Sequence, residues 1–343
     1  MEGGFSMVKI AVDMMGSDSG PETLVDSIKH YLKDFDDVSF LLFGDEKVLS
    51  ELTKDCPDKN RIEIHNTTSI IPMEIKPLEF LRAKSSSMYQ AISAVKEGLA
   101  DGVLTAGSTG GFVTGATILL RTVEGVLRAG LCSPFPTRKA SHPAVILDIG
   151  ANNYDTEEEV YQFGIMGRLY YQHVLENQNP SVYILTNGAE EGKGTDEVVG
   201  AYRLMRERNL PGFKGNVEAR EALDGNHDVI VTPGYPGNIF LKACEGVAKM
   251  MNDLIKESFK MNLLTKIGYL FSSKGFKRMR KTLDYRQYGG AILLGINGVC
   301  VKAHGNSNEY AFYHAIGVCK KMIDVKIVDK IKEEFHDSVN NND

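Results

Sequence analysis

The residues best suited to chemistry lie in Gly188-Ala189-Glu190-Glu191-Gly192-Lys193-Gly194, directly after the apolar run Ser181 to Leu185. A lysine set between glycines at the end of a buried strand brings a cation to a loop whose backbone N–H groups are open to an anion. A nucleotide P-loop needs four residues between its first two glycines and Ser or Thr after the lysine. Here three residues separate Gly188 from Gly192, and Gly194 follows Lys193. The spacing points to phosphate chemistry without ATP, and no cofactor or metal is called for. Lys193 could bind phosphate, polarise an acyl group, or simply be a solvated loop lysine.

A second candidate is Asn238, at the end of Pro233-Gly234-Tyr235-Pro236-Gly237-Asn238. Its carboxamide can donate a hydrogen bond to an oxyanion. It also stands where the N-cap of a long helix from about Ile239 is expected. Ser108 and Thr109, in Gly107-Ser108-Thr109-Gly110-Gly111, could cradle phosphate at a helix start or cap that helix. Asp13 and Asp18 flank a turn through Gly16, with ligand-positioning and turn-forming roles both open. His304, in Ala303-His304-Gly305, could donate a proton or only satisfy a hydrogen bond. Cys132 has no activating neighbour in sequence and reads as a packed thiol. Arg82 and Lys84 could meet an acidic partner or be solvated.

Alternating strands and helices must position these groups. Strands are expected at Val8 to Val12, Val38 to Phe43, Arg61 to His65, Gly102 to Ala106, Ala144 to Ile149, Ser181 to Leu185, Asp228 to Thr232, Ala291 to Leu294 and Gly298 to Ala303. Helical spacing follows Pro21 and recurs at Ser87 to Leu99, from Gly110 through Leu120, at Glu157 to Leu175, Glu197 to Arg208 and Glu309 to Ile323. This is the pattern of an α/β fold, a mainly parallel sheet with helices on both faces. Ligands in such folds gather at the carboxyl ends of strands. The glycine-bearing loops after Val12, Ala106, Leu185 and Thr232 are all expected there.

The chain has 343 residues, 43% hydrophobic and 24% charged, as in a folded globular protein of one elaborate domain or two lobes. Its net charge of −6 disfavours a general nucleic-acid binder. Five scattered cysteines without a C-x-x-C pair argue for a reducing cytosol, with neither disulfide framework nor zinc site. Met1 to Ser6 read as a leader or expression scar, residues 7–333 as a single α/β domain, and 334–343 as a polar tail. No apolar run is long enough to span a bilayer.

Leu254 to Lys281 departs from the acidic average, with eight basic residues against Glu257 alone. Ile255, Phe259, Leu263, Leu264, Ile267, Leu270 and Phe271 give it an apolar stripe, suited to an anionic membrane surface or to intersubunit packing. Ser272-Ser273-Lys274-Gly275 is expected to separate two helices of this basic amphipathic insertion.

Taken in order, Ile10-Ala11-Val12-Asp13-Met14-Met15-Gly16, Ala106-Gly107-Ser108-Thr109-Gly110, Leu147-Asp148-Ile149-Gly150-Ala151-Asn152, Glu190-Glu191-Gly192-Lys193-Gly194, Gly237-Asn238, Leu294-Gly295-Ile296-Asn297-Gly298 and Ala303-His304-Gly305 resemble the bacterial phosphate acyltransferase (PlsX) family from about Met7 to Ile331. The resemblance implies transfer of an acyl group from acyl carrier protein to inorganic phosphate in phospholipid synthesis. It further implies an isopropylmalate-dehydrogenase-like fold related to phosphotransacetylases, a homodimer, and a cytoplasmic enzyme peripherally attached to the inner face of the membrane. Lys193 and Asn238 fall on the family's important lysine and asparagine. Asp13, Gly16, Ser108, Thr109, Gly110, Asn152, Gly192, Gly194, Gly237 and His304 then become candidates for holding phosphate and substrate. The sequence departs from the family pattern at Ser108 (usually Asn), Gly111 (usually Ala) and Pro233 (usually Asp), and has fewer basic residues before Ser85. A coenzyme A thioester as donor and a membrane-associated scaffold without chemistry remain the alternatives.

Overall fold

The computed structural model describes residues 7–282 and 284–340; the expected leader at Met1 to Ser6 and the last three residues lie outside the described residues. The chain divides into two compact units. Unit 1 takes residues up to Ser133, Leu169–Gln178 and everything from Arg286; unit 2 takes Pro134–Arg168 and Asn179–Tyr285.

In unit 1 the strands are β1 (Val8–Asp13), β2 (Val38–Gly44), β3 (Ile62–Asn66), β4 (Gly102–Thr105), β5 (Gly130–Phe135, whose last two residues belong to unit 2), β10 (Ala291–Leu294) and β11 (Val299–Lys302). They lie in the order β3-β2-β1-β4-β11-β10-β5. All of these pairings are parallel except those of β10, which runs antiparallel to both β11 and β5. Every residue of β2 is buried, as expected of a parallel strand covered on both faces. The helices of this unit are α1 (Gly20–Asp34), α2 (Glu46–Leu52), α3 (Pro77–Arg82), α4 (Ser87–Lys96), α5 (Thr109–Leu120), α10 (Glu309–Asp324) and α11 (Ile327–Asn340).

Unit 2 places its strands β6 (Ala144–Leu147), β7 (Val182–Thr186), β8 (Phe213–Glu218) and β9 (Val229–Val231) in the order β6-β9-β7-β8, all parallel. Most of α6 (Glu157–His173), together with α7 (Asp196–Glu207), α8 (Gly234–Lys260) and α9 (Leu263–Thr282), belongs to this unit. Gly167 lets α6 lie close to the sheet: a Cβ there would stand 2.7 Å from Val229 Cγ1.

The α/β class and the mainly parallel pairing agree with the sequence. Several elements do not. Neither β5, which holds the packed Cys132, nor β8, where Lys214 and Asn216 break up the apolar residues, is anticipated. The expected polar tail from 334 instead continues α11 to Asn340, because Ile327, Ile331 and Phe335 recur every four residues and are buried. The break in the basic segment falls at Met261 and Asn262, not at Ser272 to Gly275, which are helical. Asn262 fixes it by a reciprocal cap: its Oδ1 accepts from Thr265 N at 2.9 Å, and its own N–H donates to Thr265 Oγ1 at 3.1 Å.

The apolar stripe of this segment divides between two faces. Phe259 turns inward, its ring 4.8 Å from that of Phe276 and 5.3 Å from that of Tyr269, and Ile255 is half-buried. Leu263, Leu264, Ile267, Leu270 and Phe271 are exposed, Phe271 by 87%. Of the eight basic residues, the side chains of Arg280 and Lys281 lie outside the described set. Among the described residues no helix is long and apolar enough to cross a membrane.

Candidate active site

Three loops leave the same edge of unit 2. Leu147 and Ile184 both stand opposite Val231, so β6, β9 and β7 end at one level. After β6 comes Asp148, a fully buried aspartate that accepts four N–H groups: those of Gly150, Ala151 and Asn152 and the side-chain amide of Asn152, each at 2.9 Å. One carboxylate thereby wraps the loop around itself and holds the Asn152 side chain in place.

Helix α8 begins against that loop. Gly234 is its first residue, and the Gly234 N–H donates to Asp155 Oδ2 at 2.8 Å. An acid therefore sits at the helix start although Pro233 replaces the one expected from the resemblance. A Cβ on Gly234 would stand 2.3 Å from Asn152 O, and one on Gly237 would stand 1.9 Å from Asp148 O. These glycines are present because backbone occupies the space of any side chain. Gly150, at φ +120°, brings the loop to Asn238: its added Cβ would lie 3.0 Å from Asn238 Cβ.

Asn238 is thus the fifth residue of α8, not its N-cap. The helix starts earlier than expected because Gly234-Tyr235-Pro236-Gly237 is itself helical, with Pro236 inside the first turn where its missing N–H has no partner to lose. Released from capping, the exposed Asn238 carboxamide makes no hydrogen bond among the described residues.

The lysine loop follows β7, the neighbour of β9. Lys193 N–H donates to Glu190 O at 3.1 Å, and Asn216 Nδ2 on β8 donates to the same carbonyl at 2.7 Å. The Lys193 stem lies over Gly188, where a Cβ would stand 2.9 Å from Lys193 Cγ. Gly194 closes the loop at φ +117°. Glu191 is turned away to Tyr202 at 3.0 Å and Arg206 at 3.1 Å on α7. Lys193 is exposed, and its ammonium has no hydrogen-bond or ion-pair partner among the described residues. Gly192 is open, with nothing within 4 Å of an added Cβ. Lys193, on the loop after β7, and Asn238, in the first turns of the helix that follows the adjacent strand β9, are therefore both unengaged among the described residues.

The other candidates belong to unit 1. Asp13, Thr105 and Lys302 are in register at the ends of β1, β4 and β11. Asp13 is buried, accepting from Ser87 Oγ at 2.6 Å and Thr105 Oγ1 at 2.7 Å. That geometry makes it a brace beneath the loops. Gly16 and Gly107 touch, since a Cβ on Gly16 would stand 2.6 Å from Gly107 Cα. Ser108 caps α5: its Oγ accepts from Gly111 N at 3.1 Å and donates to Met73 O at 2.8 Å. The hydroxyl is therefore occupied, whereas Thr109 and Gly110 are exposed at the helix start. His304 is half-buried after β11, and the next carbonyl, Gly305 O, accepts from Asp18 N at 2.9 Å.

Asp148, Asp155, Ser87, Thr105 and the buried Lys302, whose Nζ donates to Ala303 O, are not among the residues that the sequence marks for the site. An aspartate ending an apolar strand before Ile-Gly-Ala-Asn was the available signal for Asp148; the Asp13 partners emerge only from strand register. Cys132 is packed, as expected, and burial pushes the Cys300 thiol up to about 12. Among the described residues no cluster of His, Cys, Asp and Glu could hold a metal ion.

A family model described as "Fatty acid synthesis protein" matches residues 8–330. A phosphate acyltransferase of Clostridium botulinum is 39% identical over 331 residues, covering 96% of this chain and 99% of its own. The chain belongs to the phosphate acyltransferase family. Another member, from Alkaliphilus oremlandii, is 40% identical over 95% of this chain and 97% of its own. Among solved structures that share this chain's fold at low identity are two acyl-transferring enzymes. A phosphotransacetylase from Streptococcus pyogenes aligns with a TM-score of 0.60 at 16% identity, over 94% of each chain. A branched-chain phosphotransacylase from Enterococcus faecalis gives 0.55 at 12%, over 92% of this chain and all of its own. Family membership makes the protein an acyltransferase of lipid synthesis.

Proposed function

We propose that the protein transfers an acyl group from the thioester of acyl carrier protein to inorganic phosphate, with Lys193 and Asn238 as its catalytic residues. The observation that carries this reading is the pair of unengaged polar groups that follow the adjacent strands β7 and β9, one on a loop and one at the start of α8. A phosphate oxygen attacks the thioester carbonyl carbon, forming a C–O bond and a tetrahedral oxyanion. The oxyanion collapses as the C–S bond breaks. Hydrogen phosphate and the acyl thioester become acyl phosphate and a free thiol, the proton of phosphate ending on sulfur. Phosphate is the nucleophile, so no activated serine or cysteine is required.

Lys193 holds the phosphate charge and Asn238 donates to the carbonyl oxygen as it becomes negative, a stabilisation of charge by fixed donors. Gly192 and Gly194 keep the lysine loop open to the anion, while Gly150, Asn152 and Gly237 hold Asn238 in place. In unit 1 the exposed N-terminal turn of α5, with Thr109 and Gly110, is assigned an anion-binding role, and His304 a substrate contact.

The exposed apolar residues from Leu263 to Phe271, with the lysines around them, support reversible attachment to the anionic inner face of the cell membrane. Exposed Val247, Met250 and Met251 on α8 support pairing of two copies into a homodimer. The reading is tested by thiol release from long-chain acyl carrier protein with and without phosphate. Release that ignores phosphate contradicts it. Faster release from the matching coenzyme A thioester than from the carrier protein favours the alternative donor.

A further inference from the structure

We propose that unit 1 carries a second anion site, for a phosphate monoester of a small organic group, in the cleft where α5 ends. The cleft has a volume of about 490 Å³, within the ~300–1,000 Å³ range of small-ligand sites. It lies at the amino ends of the strands: Val299, the first residue of β11, stands opposite Gly102, the first of β4. The glycine loops with Asp13, Thr109 and His304 follow the carboxyl ends of the same strands, and α5 covers the roughly 18 Å between the two levels.

Arg121 marks the cleft. Its backbone is at φ +62°, ψ 166°, a region that is essentially glycine's own and strained for a residue with a side chain. The turn Leu294-Gly295-Ile296-Asn297-Gly298, a family motif that the acyl-transfer chemistry does not use, holds it there. Asn297 N–H donates to Arg121 O at 3.0 Å, Asn297 Nδ2 donates to Thr122 O at 2.8 Å, and Val123 N–H donates to Gly295 O at 2.9 Å. The clamp fixes the backbone, while the exposed guanidinium is left without a partner among the described residues.

The groups around Arg121 suit an organic phosphate. Lys332 and His336 line the cleft from α11. The Lys332 contact with Asp329 is 3.9 Å long and about half exposed on each side, so it leaves the ammonium able to turn to a ligand. Among the described residues of the lining Glu124 is the one carboxylate, an acceptor for a ligand hydroxyl, against two permanent cations. Buried Phe335 and the carbon of Gly125 supply an apolar floor for the organic part; a Cβ on Gly125 would touch Phe335 Cβ at 3.3 Å. Bidentate guanidinium binding of a phosphate is the strong contact expected of Arg121.

The test titrates phenyl phosphate, and separately inorganic phosphate, into the full-length protein by calorimetry. The wild type should show a saturable phenyl phosphate site, tighter than that for inorganic phosphate, which persists in Lys193→Ala. Arg121→Gly should weaken it roughly tenfold or more, as loss of a bidentate charged contact does, and Lys332→Ala should weaken it in the same direction. Arg121→Gly relieves the left-handed backbone, so it should melt no lower than the wild type and keep its basal turnover. Affinity for phenyl phosphate unchanged by Arg121→Gly, loss of the site in Lys193→Ala, or absence of saturable binding to the wild type would each overturn the proposal.

Discussion

Gly150 and Asn238 are pressed together: a Cβ on Gly150 would lie 3.0 Å from both Cβ and Cγ of Asn238. No wider residue fits without moving the carboxamide, and Gly150 also sits at φ +120°. Gly150→Ala is therefore expected to lower stability by about 1–3 kcal/mol through backbone strain. It should also reduce turnover more than substrate affinity, because Asn238 is displaced. Urea denaturation alongside steady-state kinetics checks both; an unchanged turnover number would separate Gly150 from the chemistry.

Ser108 uses both sides of its hydroxyl, as acceptor from Gly111 and donor to Met73. Ser108→Ala should cost about 1 kcal/mol as a lost N-cap. Its effect on turnover should be smaller than that of either Lys193→Ala or Asn238→Ala. Denaturation midpoints measured beside the turnover number resolve the two effects.

The exposed apolar residues of α9 give a physical test of membrane attachment. The double substitution Leu263→Glu and Leu264→Glu puts two charges where the side chains are 73% and 79% exposed, so the fold should be unaffected. Flotation with anionic liposomes should fall sharply and the oligomeric state remain that of the wild type. Equal flotation of the two proteins would remove this segment from membrane contact.

Tyr313 predicts an alkaline limit to stability. Burial, and then the hydrogen bond it donates to Asp34, push its phenol from 10 up to about 12. The folded state keeps a proton that the unfolded chain has released, so the contribution is complete below pH 10 and is lost as pH rises from 10 to 12. Tyr313→Phe should show a shallower fall in melting temperature across that window. An identical fall in both proteins would mean that other groups carry the alkaline transition.

The regular part of this molecule is legible from residue pattern because the parallel strands are continuous apolar runs that end in glycine turns. That places Lys193, Asn238, Ser108 and His304 after their strands correctly. Strand β8 escapes the pattern because Lys214 and Asn216 interrupt its apolar residues, and the break at Asn262 escapes it because a capping pair, not a glycine, makes the turn. The Asp13 brace and the Asp148 loop escape the pattern for different reasons. The partners of Asp13 are brought together by strand register between segments up to 92 residues apart, which spacing along the chain does not encode, whereas those of Asp148 are the next few residues, and only the fold of the loop turns their N–H groups onto one carboxylate. Asn238 shows the limit most clearly: its place after β9 follows from the pattern, but it is not the expected cap, since α8 already begins at Gly234 and accepts Pro236 in its first turn.

The most direct test of the central claim is acyl-phosphate formation from acyl carrier protein and phosphate by Lys193→Ala, Asn238→Ala and the double variant, each with the melting temperature of the wild type. Each single variant should lose roughly 10²–10³ in turnover, the scale of removing one preorganised donor. The double variant should lose less than the product of the two, because both groups stabilise one transition state. Near-normal turnover in either single variant, with the fold intact, would contradict the claim.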